Sequence, residues 1–262
     1  MHKITIGERN YMSPSTWEEL TDAQLLAVAQ LVYASQLTPA VKWQVFRHLV
    51  PAPMSLLKKL TEGQIYDLLQ TIEWLWTLPM STCPVEHFVH EGKTYHLPAP
   101  DLQHVTLGEY AVADSFLRKF LSAGDTQALD GLVATLCRPA GHNSLADVRE
   151  AYNQGTANAR QKAFRSLPLG LRIVVLQYWV GRQRHVVESF KILFQEPQSG
   201  KSSNTSQPTG QSGLGWFAII FDLATGGAFG DFEKVSATPI HTVLMYLVHQ
   251  HYELKKLEKT HS

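Results

Sequence analysis

Few side chains in this chain are spaced for chemistry, and each such group also has a plainer reading. Cys83, His87, His90 and His96 are residue types that hold zinc. Their spacing matches no standard finger, and the three imidazoles fall on a segment whose alternation predicts a hairpin, which sends them to different faces. Packing or solvated histidines are the expectation there, and no metal is assigned. His249 and His251 are two apart on an expected helix and cannot chelate together. Ser199 to Ser203, SGKSS, has the letters that end a phosphate-binding loop, but that motif needs a glycine five residues before the Gly-Lys pair, where Gln195 stands. No GxSxG elbow offers a nucleophilic serine. No catalytic residue and no cofactor follow from these patterns, and the chain is read as a non-enzyme.

Two groups remain as candidates for contact. Asp147, Arg149, Glu150, Tyr152 and Asn153 form the densest polar cluster, and its expected setting is a loop, where partner contacts collect. Between Arg160 and Lys191, seven basic residues (Arg160, Lys162, Arg165, Arg172, Arg182, Arg184 and Lys191) face a single acid, Glu188. Gathered on one face they would meet phosphate or an acidic protein; scattered along a helix they are ordinary solvation. The exposed aromatic interleaving of a single-strand binder is not evident.

The elements that must position these groups are helices. Thr106 to Pro139 is the organising stretch: Thr106 and Glu109 form a capping box, with Val105 and Tyr110 as its staple. Tyr110, Ala113, Phe116, Leu117, Phe120 and Leu121 then recur at three and four residues, so they share a face that must be buried. Gly124 permits a stop and Asp125 caps a second helix carrying Leu129, Leu132, Val133 and Leu136 until Pro139. Further boxes stand at Thr21 with Gln24 and at Thr61 with Gln64, and Thr38–Pro39 starts another helix. The helix after Thr61 is expected to run through Trp76 and stop at Pro79. Leu169 to Phe194, with Ile173, Val174, Val175, Leu176, Tyr178 and Trp179, reads as apolar nearly all round and is expected as the central buried helix, packed against the organising stretch. Residues 2–14 and 87–98 read as hairpins turning at Gly7 and at Glu91–Gly92. Each is followed by a proline loop and a capped helix, a weak internal echo that pairs Tyr11, Pro14 and Thr21 with Tyr95, Pro98 and Thr106.

Residues 140–160 read as a surface loop with a short helical turn begun by Ser144, and Gly200 to Gly213 as a flexible linker without apolar side chains. Two helices follow, one over Gly215 to Ala224 and one begun by Thr238–Pro239. The fold class is therefore mainly α: a multi-helix bundle with one or two small N-terminal β-hairpins and a linker-tethered C-terminal helix pair. Its regions are 1–100 (hairpin and helices), 101–197 (helical core), 198–214 (linker) and 215–262 (helix pair docking on the core).

Composition bounds the function classes. The 23 basic and 23 acidic residues give no global field that would recruit nucleic acid or anionic lipid. Two cysteines build no disulfide framework, and the start MHKITIGERN lacks the apolar run of a signal peptide, so a cytoplasmic protein is expected. The longest apolar run, Ile173 to Val180, is too short to span a bilayer.

LDGLVATLCRP (Leu129 to Pro139), DVREAYN (Asp147 to Asn153), RQRH (Arg182 to His185), the Ser/Gly-rich insertion and GWFAIIFDLA (Gly215 to Ala224) occur here in that order. Over Thr106 to Tyr252 the chain resembles helical proteins encoded among tail genes of phages and prophages of Bacteroidetes-type bacteria, some in the tail assembly chaperone position. The resemblance implies a chaperone-like assembly protein that binds a tape-measure-type client, and it transfers no catalytic residue. On this reading the partner-contact residues are Arg149, Tyr152, Asn153, Arg182, Arg184, Trp216 and Phe217. The alternatives are a nucleic-acid-binding accessory protein using segment 160–191 and a structural virion component.

Overall fold

A computed structural model describes residues 1–34, 37–77, 86–141, 147–194 and 214–260. The fold is mainly α, with an N-terminal hairpin and a second small antiparallel sheet. The helix stop expected at Pro79, Cys83, the turn expected at Ser144 and the linker over 198–213 lie outside the described residues.

The chain opens with β1 (His2–Ile6) and β2 (Arg9–Ser13), turned at Gly7 with φ 63° and in register from His2–Ser13 to Ile6–Arg9. Alternation sends Ile4 and Ile6 to the core. Helix α1 (Asp22–Ala34) starts at the box read from the sequence: Thr21 N–H donates to Gln24 Oε1 at 3.1 Å, and Gln24 N–H to Thr21 Oγ1 at 3.3 Å. Its Leu25, Val28, Ala29 and Val32 are buried at helical spacing. Thr38 caps α2 (Pro39–Leu49), and α3 (Met54–Leu57) is a single turn. The complete box of Thr61 and Gln64 starts α4 (Glu62–Gln70). Here the structure departs from the single helix expected through Trp76. Thr71 Oγ1 donates to the Leu68 carbonyl at 2.7 Å, the next amides bond three residues back, and the chain tightens before resuming as α5 (Trp74–Thr77). Ile72 and Leu75 still reach the core.

Strands β3 (His87–His90) and β4 (Lys93–His96) turn on Glu91 (φ 47°) and Gly92 (φ 72°), both left-handed as a two-residue hairpin loop requires. Then come α6 (Leu107–Ala123) and α7 (Thr126–Leu136), separated by Gly124 at φ 65° and capped by Asp125, whose carboxylate accepts from Gln127 N–H at 2.9 Å. Leaving α7, Arg138–Pro139 forms β5, which pairs with β4 so that Arg138 stands opposite His96. The surface loop expected over 140–160 ends at Asn153, which caps α8 (Gln154–Ala163). Helix α9 (Leu169–Ser189) is enclosed over Ile173 to Trp179 and packs against α7 as expected, and against α1, but it ends at Ser189 instead of Phe194, and Arg184, His185, Val187, Glu188 and Ser189 in its second half are exposed.

The C-terminal part is three helices where a pair was expected: α10 (Trp216–Thr225), α11 (Phe232–Ala237) and α12 (Ile240–Thr260). The added α11 is a six-residue helix capped by Asp231, too short to show periodicity. Helices α10 and α11 lie on α6. The start of α12 is laced to the start of α6, with Leu107 N–H donating to the Thr238 carbonyl (2.8 Å) and Ile240 N–H to the Val105 carbonyl (2.9 Å). One contiguous apolar cluster runs from Ile4 to Leu244. The hairpin, loop, helix order of β1-β2-α1 recurs in β3-β4-α6, and α1 packs against α6. No helix among the described residues is long and apolar enough to cross a membrane.

Candidate partner-contact site

The densest polar chemistry is inside the molecule. Glu109, in the first turn of α6, is 0% exposed and lies between Arg138 of β5 and Arg149 of the loop before α8. Its carboxylate accepts from Arg149 Nη1 at 2.7 Å and from Arg138 Nη2 at 3.1 Å. Arg149 also donates through Nη1 to the Leu136 carbonyl (2.9 Å), and through Nε and Nη2 to Asp147 (3.0 and 2.8 Å). Backbone bonds hold the loop to β5: Gly141 N–H reaches the Val148 carbonyl and Glu150 N–H the Pro139 carbonyl, each at 2.8 Å. The capping box expected at Thr106 is thereby only half made. Thr106 Oγ1 accepts from Glu109 N–H at 3.2 Å, but the Glu109 carboxylate turns to the two arginines, because two buried cations outcompete one backbone amide.

Burial governs the titrations in this cluster. It works against the Arg138 and Arg149 cations. At Arg138 it wins and lowers the pKa; at Arg149 the Glu109 and Asp147 charges outweigh it and raise the pKa. Burial would raise the Asp147 carboxyl, but hydrogen bonds and charge from Arg149 hold it below its ordinary range. Burial pushes the neighbouring Cys137 thiol up to about 12 and raises the Tyr152 phenol.

Most of the contact residues read from the sequence are engaged within the chain. Arg149 is 2% exposed, with its donors committed to Glu109, Asp147 and Leu136. Tyr152 is half-buried with the Arg138 guanidinium 5.7 Å from its ring centre, and Asn153 accepts from Thr156 N–H at 3.0 Å to cap α8. Arg182 donates to the Pro100 carbonyl at 3.2 Å and lies over the Tyr178 ring. Trp216 is in the core, edge-on to Tyr110 at 4.8 Å, and Phe217 is half-buried beside it. Arg184 is exposed at the rim of a 190 Å³ cleft walled by Tyr33, Trp76 and Val180. The basic segment does not form one face: Arg160 pairs with Glu150 and Arg172 with Asp130, while Lys162, Arg165, Arg184 and Lys191 are exposed on separate turns.

A surface the sequence reading did not single out lies on α10 and α11. Trp216, Ile219, Ile220 and Leu223 are the buried stripe of α10, which turns Phe221 outward, 51% exposed. Phe232, at the first turn of α11 and 40% exposed, meets it with ring centres 5.2 Å apart. The signal was present in the spacing, since position 221 falls off the 216, 219, 220, 223 stripe. On α12, residues 252–257 are all exposed, including Tyr252, Leu254 and Leu257.

No group of three or more His, Cys, Asp or Glu in reach of one metal ion occurs among the described residues. His87 and His96 face each other across the hairpin at 5.6 Å, and His90 lies edge-on to Phe164 at 5.7 Å. The larger cleft, about 440 Å³, lies between α1, α7 and α9, where the Arg172–Asp130 pair (2.6 Å) forms part of its wall with Arg165 and Asp22. Compared with known proteins, the chain matches no family model, no curated protein and no solved structure.

Proposed function

We propose that this chain is a non-enzymatic assembly protein that works through protein contacts in the cytoplasm, chaperone-like in phage or prophage tail assembly with a tape-measure-type client. The observation that carries the contact reading is where apolar surface collects. Of the fifteen large apolar residues that are exposed among those described, seven lie between Leu214 and Leu257. Contiguous exposed apolar groups mark a contact surface whereas single ones do not, and among these seven Phe221 and Phe232 stand together with ring centres 5.2 Å apart. The tail-assembly part of the proposal is supported by the sequence resemblance alone.

The test is an affinity capture of the full chain co-expressed with the reading frames that flank its gene, at low and high salt, with nuclease treatment and mass spectrometry of the eluate. The expected result is one long helical protein retained through both treatments. Recovery of nucleic acid alone, lost at high salt and lost in Arg184→Glu, overturns the proposal in favour of a nucleic-acid accessory role. Persistence of the chain in finished particles would instead make it a structural virion component.

A further inference from the structure

The alternation of residues 87–98 predicts His87, His90 and His96 on different faces of the hairpin, but the register puts two of them together. Directly opposed residues of an antiparallel pair share a face, and His87 stands opposite His96. His90 goes to the other face with Phe88 and Tyr95, where its ring lies edge-on to Phe164. The ring centres of His87 and His96 are 5.6 Å apart. Their shared face meets solvent: His87, Val89 and Thr94 are exposed and His96 is half-buried. Neither imidazole has a hydrogen-bond or ion-pair partner among the described residues. Arg138 follows His96 across the sheet on β5, and its charge is already matched by Glu109 at 3.1 Å and Asp147 at 3.7 Å.

We infer that His87 and His96 form a two-histidine clip for a first-row divalent transition-metal ion, with water completing its coordination. The site is independent of the partner-contact reading above. Neutral imidazole is a ligand for zinc, copper and nickel, whereas magnesium and calcium take oxygen donors, so the donor set selects the class of ion. With metal–nitrogen bonds of about 2.0–2.1 Å and a near-tetrahedral angle, two imidazoles on one ion have ring centres roughly 5–5.5 Å apart. The observed spacing needs only a small side-chain rotation to reach that. The backbone sets the spacing, because the left-handed turn at Glu91 and Gly92 fixes the register that opposes the two histidines. A bound ion would tie β3, at the edge of its sheet, to β4 and stabilise the folded chain by mass action.

The test titrates the tag-free full chain with cupric, zinc and magnesium ions, following binding by calorimetry and cupric coordination by electron paramagnetic resonance. The wild type should bind cupric ion more tightly than zinc and should not bind magnesium. His90→Ala, on the opposite face, should bind as the wild type does. Losing a ligand costs at least what losing an outer-shell partner does, so His87→Ala and His96→Ala should each weaken cupric binding about tenfold or more. Both substitutions lie on the solvent face of the hairpin and leave the core intact, which circular dichroism checks. The resonance spectrum should also report one coordinated imidazole fewer in each of these two variants than in the wild type, a readout that misfolding cannot imitate. Affinity and imidazole count unchanged in His87→Ala and His96→Ala would place the ion on other histidines and overturn the inference. Cupric binding seen only at millimolar concentration, or an equal loss in His90→Ala, overturns it as well.

Discussion

Glu109 organises the interior through charge. It is fully enclosed with two arginines on it, and a carboxylate in that setting is held by its partners as much as it holds them. Glu109→Gln removes the charge and leaves buried Arg138 and Arg149 with only Asp147, at 3.7 and 2.8 Å, to balance them. The expected loss is about 3–5 kcal/mol, read as a lower urea midpoint. The pH response follows from Asp147, whose folded pKa lies below its unfolded value of about 4. Its stabilisation is complete above that unfolded value and is lost as pH falls through the folded one. Asp114 and Asp130, both raised by burial, act in the opposite sense, disfavouring the fold as pH rises through the unfolded value. Asp147→Asn should therefore be less stable at pH 7 than wild type and show a shallower acid limb; equal slopes in a pH series of urea melts would refute that assignment. Of this cluster the sequence showed Asp147 and Arg149 as members of a polar segment, but not their link to Glu109 and Arg138. Glu109 fits a local capping pattern, and its true partners lie 29 and 40 residues away, beyond any local rule.

At the scale of elements, what could be read was what local chemistry decides. The caps at Thr21, Thr38, Thr61 and Asp125, the hairpin turns at Gly7 and Glu91–Gly92, and the stop at Gly124 all stand where a side chain or a left-handed residue dictates them. The break at Thr71 was hidden because Leu68, Ile72 and Leu75 continue the apolar pattern across it, and β5 because two residues carry no alternation. Close packing of elements was equally invisible. Gly131 of α7 sits against the Phe116 ring of α6, where a Cβ would come within 2.4 Å. Two effects compete at this position: alanine gains about 1 kcal/mol in helix propensity, and overpacking costs about 1–3 kcal/mol. Gly131→Ala should thus be neutral to destabilising in the wild type and stabilising in a Phe116→Ala background. A double-mutant cycle showing the same sign in both backgrounds would exclude the ring contact as the cause.

Across the whole molecule, the sequence suggested regions divided near residues 100 and 214, while the apolar cluster joins the N-terminal hairpin, α6, α9, α10 and the start of α12. The joins are specific. Tyr110 of α6 meets Trp179 of α9 at 5.0 Å and Trp216 of α10 at 4.8 Å, and a Cβ on Gly108 would press within 3.1 Å of the Ser236 carbonyl on α11. Helices α10 and α11 therefore cover a face of α6 that would otherwise meet water. A chain ending at residue 197 should lose that cover, with a reduced and broadened thermal transition. A chain ending at Tyr252 removes only the end of α12, whose described side chains from Glu253 to Leu257 are exposed, and its midpoint should stay at the wild-type value. In the full chain, circular dichroism and tryptophan fluorescence should fall together, since Trp17, Trp179 and Trp216 are buried in the same cluster. Separated transitions, or a 1–197 chain that melts as sharply as wild type, would mean that the C-terminal helices fold and dock as an independent unit.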